Sequence, residues 1–271
     1  MKLKGKVALV TGAGSGLGKG MVLAFVREGA RVAVNDIADD RIQETLQEIA
    51  KLGGEGLGVK ADVSSSREVK GMFSSVLERF GTLDILVNNA ARVPDSEQSM
   101  KARLDFYRMK ATPIPMRSLE VTRNMSDEEW QAFIDVDLTG VFYCTREALN
   151  IMEPKGYGKI INIASTAGLS GMSAFAPHYS AAKGGVIAFT RSVAMEVIGA
   201  GVHVNCIAPG GVATPPWQKV PQEVRQIVLQ LIPARRMGTV EEYASLAVYL
   251  ASDDSNYIVG QVISPDGGLL L

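Results

Sequence analysis

Cysteine, histidine and tryptophan are scarce in this chain, with two of each in 271 residues. Two cysteines cannot build a disulfide framework. Cys144 lies in VFYCTREAL and Cys206 in VHVNCIAP, apolar settings that predict buried, reduced thiols. No cluster of His, Cys and acidic residues has metal-ligand spacing, so no metal is expected. Neither sign of charge is in excess. The 28 basic and 29 acidic side chains leave a net charge of -1. That balance offers no electrostatic case for a nucleic acid or an acidic membrane surface as partner. No apolar run reaches the ~20 residues that a membrane span requires, and no signal peptide is visible. A cytoplasmic protein is expected.

Alternating strand and helix patterns fill the chain. Strand-like runs fall at Val7–Val10, Arg31–Asn35, Gly56–Lys60, Ile85–Asn88, Lys159–Ala164, Val202–Ile207 and Gln261–Ser264. Helical spacing separates most of them. This alternation predicts an α/β fold with a doubly wound parallel sheet, covered on both faces. The strand order expected is 3-2-1-4-5-6-7. No linker, repeat or low-complexity stretch interrupts residues 1–271, which read as one nucleotide-binding domain.

Two motifs carry chemistry. KVALVTGAGSGLGKGMVLAFVREGA reads as a buried strand, a turn punctuated by Gly12, Gly16 and Gly18, and an amphipathic helix. Glycine allows close approach of a pyrophosphate, and the helix N-terminus offers N–H groups and a positive dipole end. In HYSAAKGG, Tyr179 and Lys183 stand one helical turn apart, with Ser165 upstream in INIASTAG. Positions i and i+4 share a helix face, so the ammonium can favour ionisation of the phenol. An isolated pair of this kind is common on solvated helices, and Ser165 alone reads as a turn residue.

Taken together, TGAGSGLG, Asp36 after the second strand, ADV at Ala61 to Val63 and NNAA at Asn88 to Ala91 form an ordered series. DLTGVF at Asp137 to Phe142, Ser165, YSAAK and APGGVATP at Ala208 to Pro215 continue it. The chain resembles the short-chain dehydrogenase/reductase family, in its ordinary single-domain form, from about Lys6 to Gly268. The resemblance implies a site at the C-terminal ends of strands four to six. Tyr179 would be the acid/base, Ser165 would hydrogen-bond the substrate oxygen, and Lys183 would also hold the nicotinamide ribose. It places Gly12, Ser15, Gly16, Leu17 and Gly18 at the pyrophosphate, and Asp62 and Val63 at the adenine. Asn88, Asn89 and Ala90 would run along the adenosine, with Pro209, Gly210, Val212 and Thr214 around the nicotinamide.

Asp36 ends the second strand about 20 residues beyond the turn, where a carboxylate accepts bonds from ribose hydroxyls and repels a 2′-phosphate. Relatives preferring NADP often carry a basic residue where this chain has Ser15 or Ile37, so NAD is expected; nearby Arg41 weighs the other way. The alternative for Asp36 is a helix cap near Asp39. One position departs from the family pattern: Asp137 stands where an Asn is usual, and we expect it to substitute in the proton relay.

The substrate region is less legible. Residues 92–125 form a longer connection than the family usually has, with Arg92, Lys101, Arg103, Arg108, Lys110, Arg117 and Arg123 against four acids. A basic lid over an anionic or large substrate is one reading; a solvated or subunit-contact loop is the other. Residues 212–235 resemble the family's substrate-binding loop, with Trp217, Val220, Val224, Ile227, Val228 and Leu231 at helical spacing. His178 reads as pocket or structure, and His203 as a satisfied structural residue. A secondary alcohol or ketone is the expected substrate, and a homotetramer the expected assembly by resemblance. A nucleotide-binding sensor or scaffold without turnover is the competing function.

Overall fold

The computed structural model describes residues 1–214, 217, 220 and 222–271. Seven parallel strands form one sheet in the order β3-β2-β1-β4-β5-β6-β7. They are β1 (Val7–Val10), β2 (Arg31–Asp36), β3 (Gly56–Lys60), β4 (Ile85–Asn88), β5 (Gly158–Ile163), β6 (Val202–Ile207) and β7 (Val262–Ile263). Leu9 pairs with Ala33 on one side and Leu86 on the other, so β1 lies between β2 and β4 inside the sheet. The edge strand is shorter than its apolar run suggested, because β7 meets β6 only at Cys206 and Ile207.

Side chains alternate between the two faces of a strand, and both faces are buried here. Ala8 and Val10 join Val32, Val34 and Val87 beneath helices α1 (Gly16–Arg27) and α2 (Asp39–Lys51). Val7 and Leu9 join Ala33, Leu86 and Ile160 on the opposite face. That face is covered by α3 (Ser66–Phe80) through Val69, Met72, Phe73 and Val76. The strands therefore read as continuous apolar runs, as parallel strands covered on both faces do.

The connection after β4 is not a loop. Ser96 caps a 15-residue helix, α4 (Glu97–Ala111), by accepting from the Ser99 N–H at 3.1 Å. Its Ala102, Phe106 and Met109 are buried. A one-turn helix, α5 (Val121–Asn124), and then α6 (Asp127–Ile134) follow. Next comes a π-helical turn at Asp135–Thr139 that runs directly into α7 (Gly140–Lys155). Helix α8 (Pro177–Val197) starts on Pro177, which suits a first-turn position because its missing N–H is unused there. Helices α9 (Gln222–Leu231) and α10 (Val240–Ala251) complete the chain, with α10 packed along α1. The expected substrate-binding loop, 212–235, includes Pro215, Pro216, Gln218, Lys219 and Pro221, which lie outside the described residues.

The strand order reverses between β1 and β4, so the connections leaving their C-terminal ends diverge and open a crevice. Both expected motifs sit on its rim. Cys144 and Cys206 are buried free thiols, and burial pushes them up to about 12 and about 11.

Candidate active site

The glycine turn is strapped to the end of β4. Thr11 Oγ1 accepts from the N–H groups of Asn89 and Ala90, each at 3.0 Å. The Asn89 amide returns two bonds, to the carbonyls of Thr11 at 2.9 Å and Gly12 at 3.0 Å. This lacing leaves no room for a side chain at Gly12 or Gly18. Gly12 has φ +61°, and a Cβ there would stand 2.8 Å from the Ala90 Cα. A Cβ on Gly18 would collide with the Asn89 amide and the Gly12 carbonyl.

Ser15 precedes α1 yet makes no side-chain cap, and the first turn of α1 carries no acid. Its leading amides and positive dipole end are thus left for an anion. Leu17 points into the core, so only its backbone can serve there. The Thr214 methyl lies 3.7 Å from where a Gly16 Cβ would stand, which brings the segment after β6 to the turn. In that segment Pro209 accepts from Thr166 N–H at 3.0 Å, and Gly210 abuts Asp266. Val212 bridges to Gly238.

Asp36 is buried at the end of β2. Its Oδ2 accepts from Gly14 N–H at 3.0 Å and its Oδ1 from Ala38 N–H at 3.1 Å. The carboxylate therefore pins the turn and the start of α2, and each oxygen retains acceptor capacity for a ribose hydroxyl. Ile37 is exposed beside it. Asp62 Oδ1 accepts from the N–H and hydroxyl of Ser64, at 2.8 and 2.7 Å. Val63 is buried against Gly140. An uncapped helix end, a glycine-rich turn and an acid at the tip of β2 fit a nicotinamide dinucleotide.

Asn88 corrects one expectation. Its side chain turns inward, away from the crevice, and donates to Thr145 Oγ1 at 3.1 Å and Asn162 Oδ1 at 2.8 Å. Asn162 donates to Thr190 Oγ1 at 2.9 Å. This buried polar chain ties α7, β4, β5 and α8 together. Sequence reasoning missed Asn162, Thr145 and Thr190. Two Asn at matched positions in apolar strands were the available signal, since buried amides need partners; Asn88 and Asn162 face each other across β4 and β5.

Ser165 leaves β5, while Tyr179 and Lys183 lie on the first turns of α8. Ser165 Oγ accepts from Ala167 N–H at 3.1 Å, which leaves its own proton to donate. Lys183 is 2% exposed. Its ammonium donates to the Ile163 carbonyl at 3.1 Å and stands 5.6 Å from the Tyr179 ring centre.

Asp137 lies in the π-helical turn and is 0% exposed. Its Oδ1 accepts from Arg92 N–H at 2.7 Å, and its Oδ2 lies 3.3 Å from Lys183 Nζ. That second contact is an ion pair without hydrogen-bond alignment. Burial works to lower Lys183, but the Asp137 carboxylate, with Tyr179 and Cys206 adding to it, holds the ammonium above the usual lysine value. Burial pushes Asp137 itself up, against Lys183 and the Arg92 N–H.

The roof comes from α4. Ala102 and Phe106 pack on Phe175 and Ala176, and Tyr107 and Tyr179 close on the same cluster. Helix α9 packs against α4, with Val224 buried. The inward face of residues 92–125 is thus part of the site's wall and not a solvated loop. His178 is buried edge-on to Phe133, ring centres 4.0 Å apart, with Nε2 3.8 Å from Glu129. Burial lowers it, and it serves to pack α6 on α8. His203 is half-satisfied: Nε2 meets the Asn256 carbonyl at 3.0 Å while Nδ1 has no partner.

Comparison with known proteins places this geometry among relatives. Residues 6–225 match the short chain dehydrogenase family. A (2S)-((R)-hydroxy(phenyl)methyl)succinyl-CoA dehydrogenase subunit from Thauera aromatica is 36% identical, over 99% of this chain and 98% of its own. The 3-oxoacyl-(acyl-carrier-protein) reductase of Thermotoga maritima is 35% identical over the full length of both. Among solved structures, levodione reductase superposes with a TM-score of 0.83 at 29% identity, covering 98% of each chain.

Removing one member of a buried ion pair strands the other, at a cost of about 3–5 kcal/mol. A raised lysine value contributes its stability below the unfolded value of 10.5 and loses it only as pH rises through the folded one. At neutral pH, Asp137→Ala should therefore destabilise strongly in urea unfolding, and adding Lys183→Met should recover most of the loss. Equal stability of Asp137→Ala and the parent would show that the pair carries no such coupling.

Proposed function

The chain belongs to the short-chain dehydrogenase/reductase family, and we propose that it interconverts a secondary alcohol and a ketone with NAD(H). The placement of Ser165, Tyr179 and Lys183 at one end of β5 and α8 is the observation that carries this reading. Gly12, Gly16, Gly18 and the N-terminus of α1 would hold the pyrophosphate. Asp36 would hold the adenosine ribose, and Asp62, Val63, Asn89 and Ala90 would flank the adenosine. Pro209, Gly210, Val212 and Thr214 would border the nicotinamide, which supplies the acceptor or donor of hydride when bound.

The chain's own residues manage the proton. Tyr179 takes the hydroxyl proton as the substrate carbon gives up its hydride, and returns it in the reverse direction. Ser165 donates its free O–H to the substrate oxygen and stabilises the charge that develops there. The Lys183 cation stabilises negative charge on the phenol oxygen and would hold the nicotinamide ribose. Asp137 is a positioning residue that keeps Lys183 charged. Asp36 favours NAD because a 2′-phosphate would meet its carboxylate. The relatives' names speak of hydroxy- and oxo-acyl groups, which supports substrates of that kind.

Purified protein is to be assayed with NAD and NADP against cyclic, aromatic and acidic secondary alcohols and hydroxyacyl thioesters. NAD-selective turnover is expected, falling about a hundredfold or more in Tyr179→Phe. Turnover that survives Tyr179→Phe would refute the role of that residue, and equal use of NADP would refute the cofactor choice.

A homotetramer is the assembly we favour. Phe142 on α7 is 41% exposed and Met195 on α8 is 77% exposed, apolar area that a second copy would cover. Light scattering should give four chains per particle; a monomer at assay concentration would contradict this.

A further inference from the structure

Arg103 lies on the inner face of α4, one turn before Phe106. Its guanidinium stands 4.8 Å over the Phe175 ring. One N–H group donates to the Pro94 carbonyl at 3.1 Å, and another approaches the Met100 sulfur at 3.7 Å. Nε is buried without a partner. Among the described residues no carboxylate pairs with this cation, and Asp95 acts on it only from a distance. Two arginines of the same segment are paired, Arg117 with Asp105 and Arg123 with Glu120.

A part-buried guanidinium with no carboxylate beside it among the described residues is costly, and it does not escape by losing its proton. Burial holds Arg103 below the usual arginine value, and the Tyr107 and Tyr179 hydroxyls are among the groups within its electrostatic reach. The guanidinium therefore lies on Phe175, whose aromatic cluster also packs against Tyr179. Arg225, on the helix that packs against α4, likewise has a buried Nε without a partner. Around Arg103 the wall is aromatic: Phe106, Tyr107 and Phe175 meet at ring separations of 5.7 to 6.0 Å.

We propose that Arg103 binds a carboxylate of the substrate, so that the enzyme acts on a hydroxy acid or oxo acid whose apolar part lies on Phe106, Tyr107 and Phe175. This inference rests on the dehydrogenase reading. A carboxylate matches the planar fork of a guanidinium and supplies the charge that the fold omits. The acid would thereby fix which way the substrate enters, with its carbinol carbon toward Tyr179 and Ser165.

The test compares 3-hydroxy-3-phenylpropionate with its methyl ester in the parent enzyme, Arg103→Gln, Arg103→Lys and Arg117→Gln. The parent should favour the acid. Arg103→Gln should raise KM for the acid roughly tenfold or more and leave the ester unaffected. Arg103→Lys should fall between, having the charge without the fork. Arg117→Gln removes the same charge from the same segment and should behave as the parent. Equal use of acid and ester by the parent, or an unchanged KM for the acid in Arg103→Gln, overturns the inference while leaving the dehydrogenase reading intact. Loss of that reading would instead appear as no turnover of either compound. Calorimetric titration with unreactive 3-phenylpropionate makes the test independent of turnover. Binding weakened roughly tenfold or more in Arg103→Gln supports the assignment. No binding, or equal binding in both proteins, overturns it.

Discussion

The reaction centre depends on keeping one ammonium charged while it is buried. Lys183 is withdrawn from water at the point where α8 meets the end of β5. Desolvation alone would drive it toward the neutral amine. The Asp137 carboxylate opposes that, and the Ile163 carbonyl accepts one of its protons. The π-helical turn delivers Asp137, and the backbone N–H of Arg92 holds the other carboxylate oxygen. The start of residues 92–125 is thereby tied to the group that keeps Lys183 charged. Wall and proton relay share an anchor.

The sheet supplies the frame for this arrangement. Its switch between β1 and β4 opens the crevice, and the Thr11–Asn89 lacing sets the distance between the two rims. Beneath them, the Asn88–Asn162–Thr190 chain locks α8 to β4 and β5. Tyr179 and Lys183 are thus positioned through a buried polar network. The buried bonds of that network hold α8 against the strands, and catalytic geometry requires such fixed positions.

Most of the frame was legible because parallel strands buried on both faces are apolar from end to end and their glycine turn has few structural alternatives. The strand order followed from the handedness of crossovers. Helix α4 was not read because Lys101, Arg108 and Lys110 dominate its composition. The spacing of Ser99, Ala102, Phe106 and Met109 carried the signal, three, four and three residues apart on one face. Asn88 and Asn89 were not separable in sequence, since neighbours at a strand end point to opposite sides. The contact of Asp137 with Lys183 joins residues far apart in the chain and needs the π-helical turn, for which DVDLT holds no marker. Identifying Asp137 as a departure from the family was possible; knowing that its carboxylate, and not only its backbone, meets Lys183 was not.

The pH dependence of kcat in the parent and in Asp137→Asn tests this account most directly. Asparagine keeps the shape and removes the largest of the charges that raise Lys183, leaving burial opposed chiefly by Tyr179. Lys183 would then lose its proton at a lower pH, so the account predicts that the alkaline fall in kcat begins earlier in Asp137→Asn. An alkaline limb at the same pH in both proteins, and again in Asp137→Ala, would contradict the claim that this carboxylate keeps the ammonium charged.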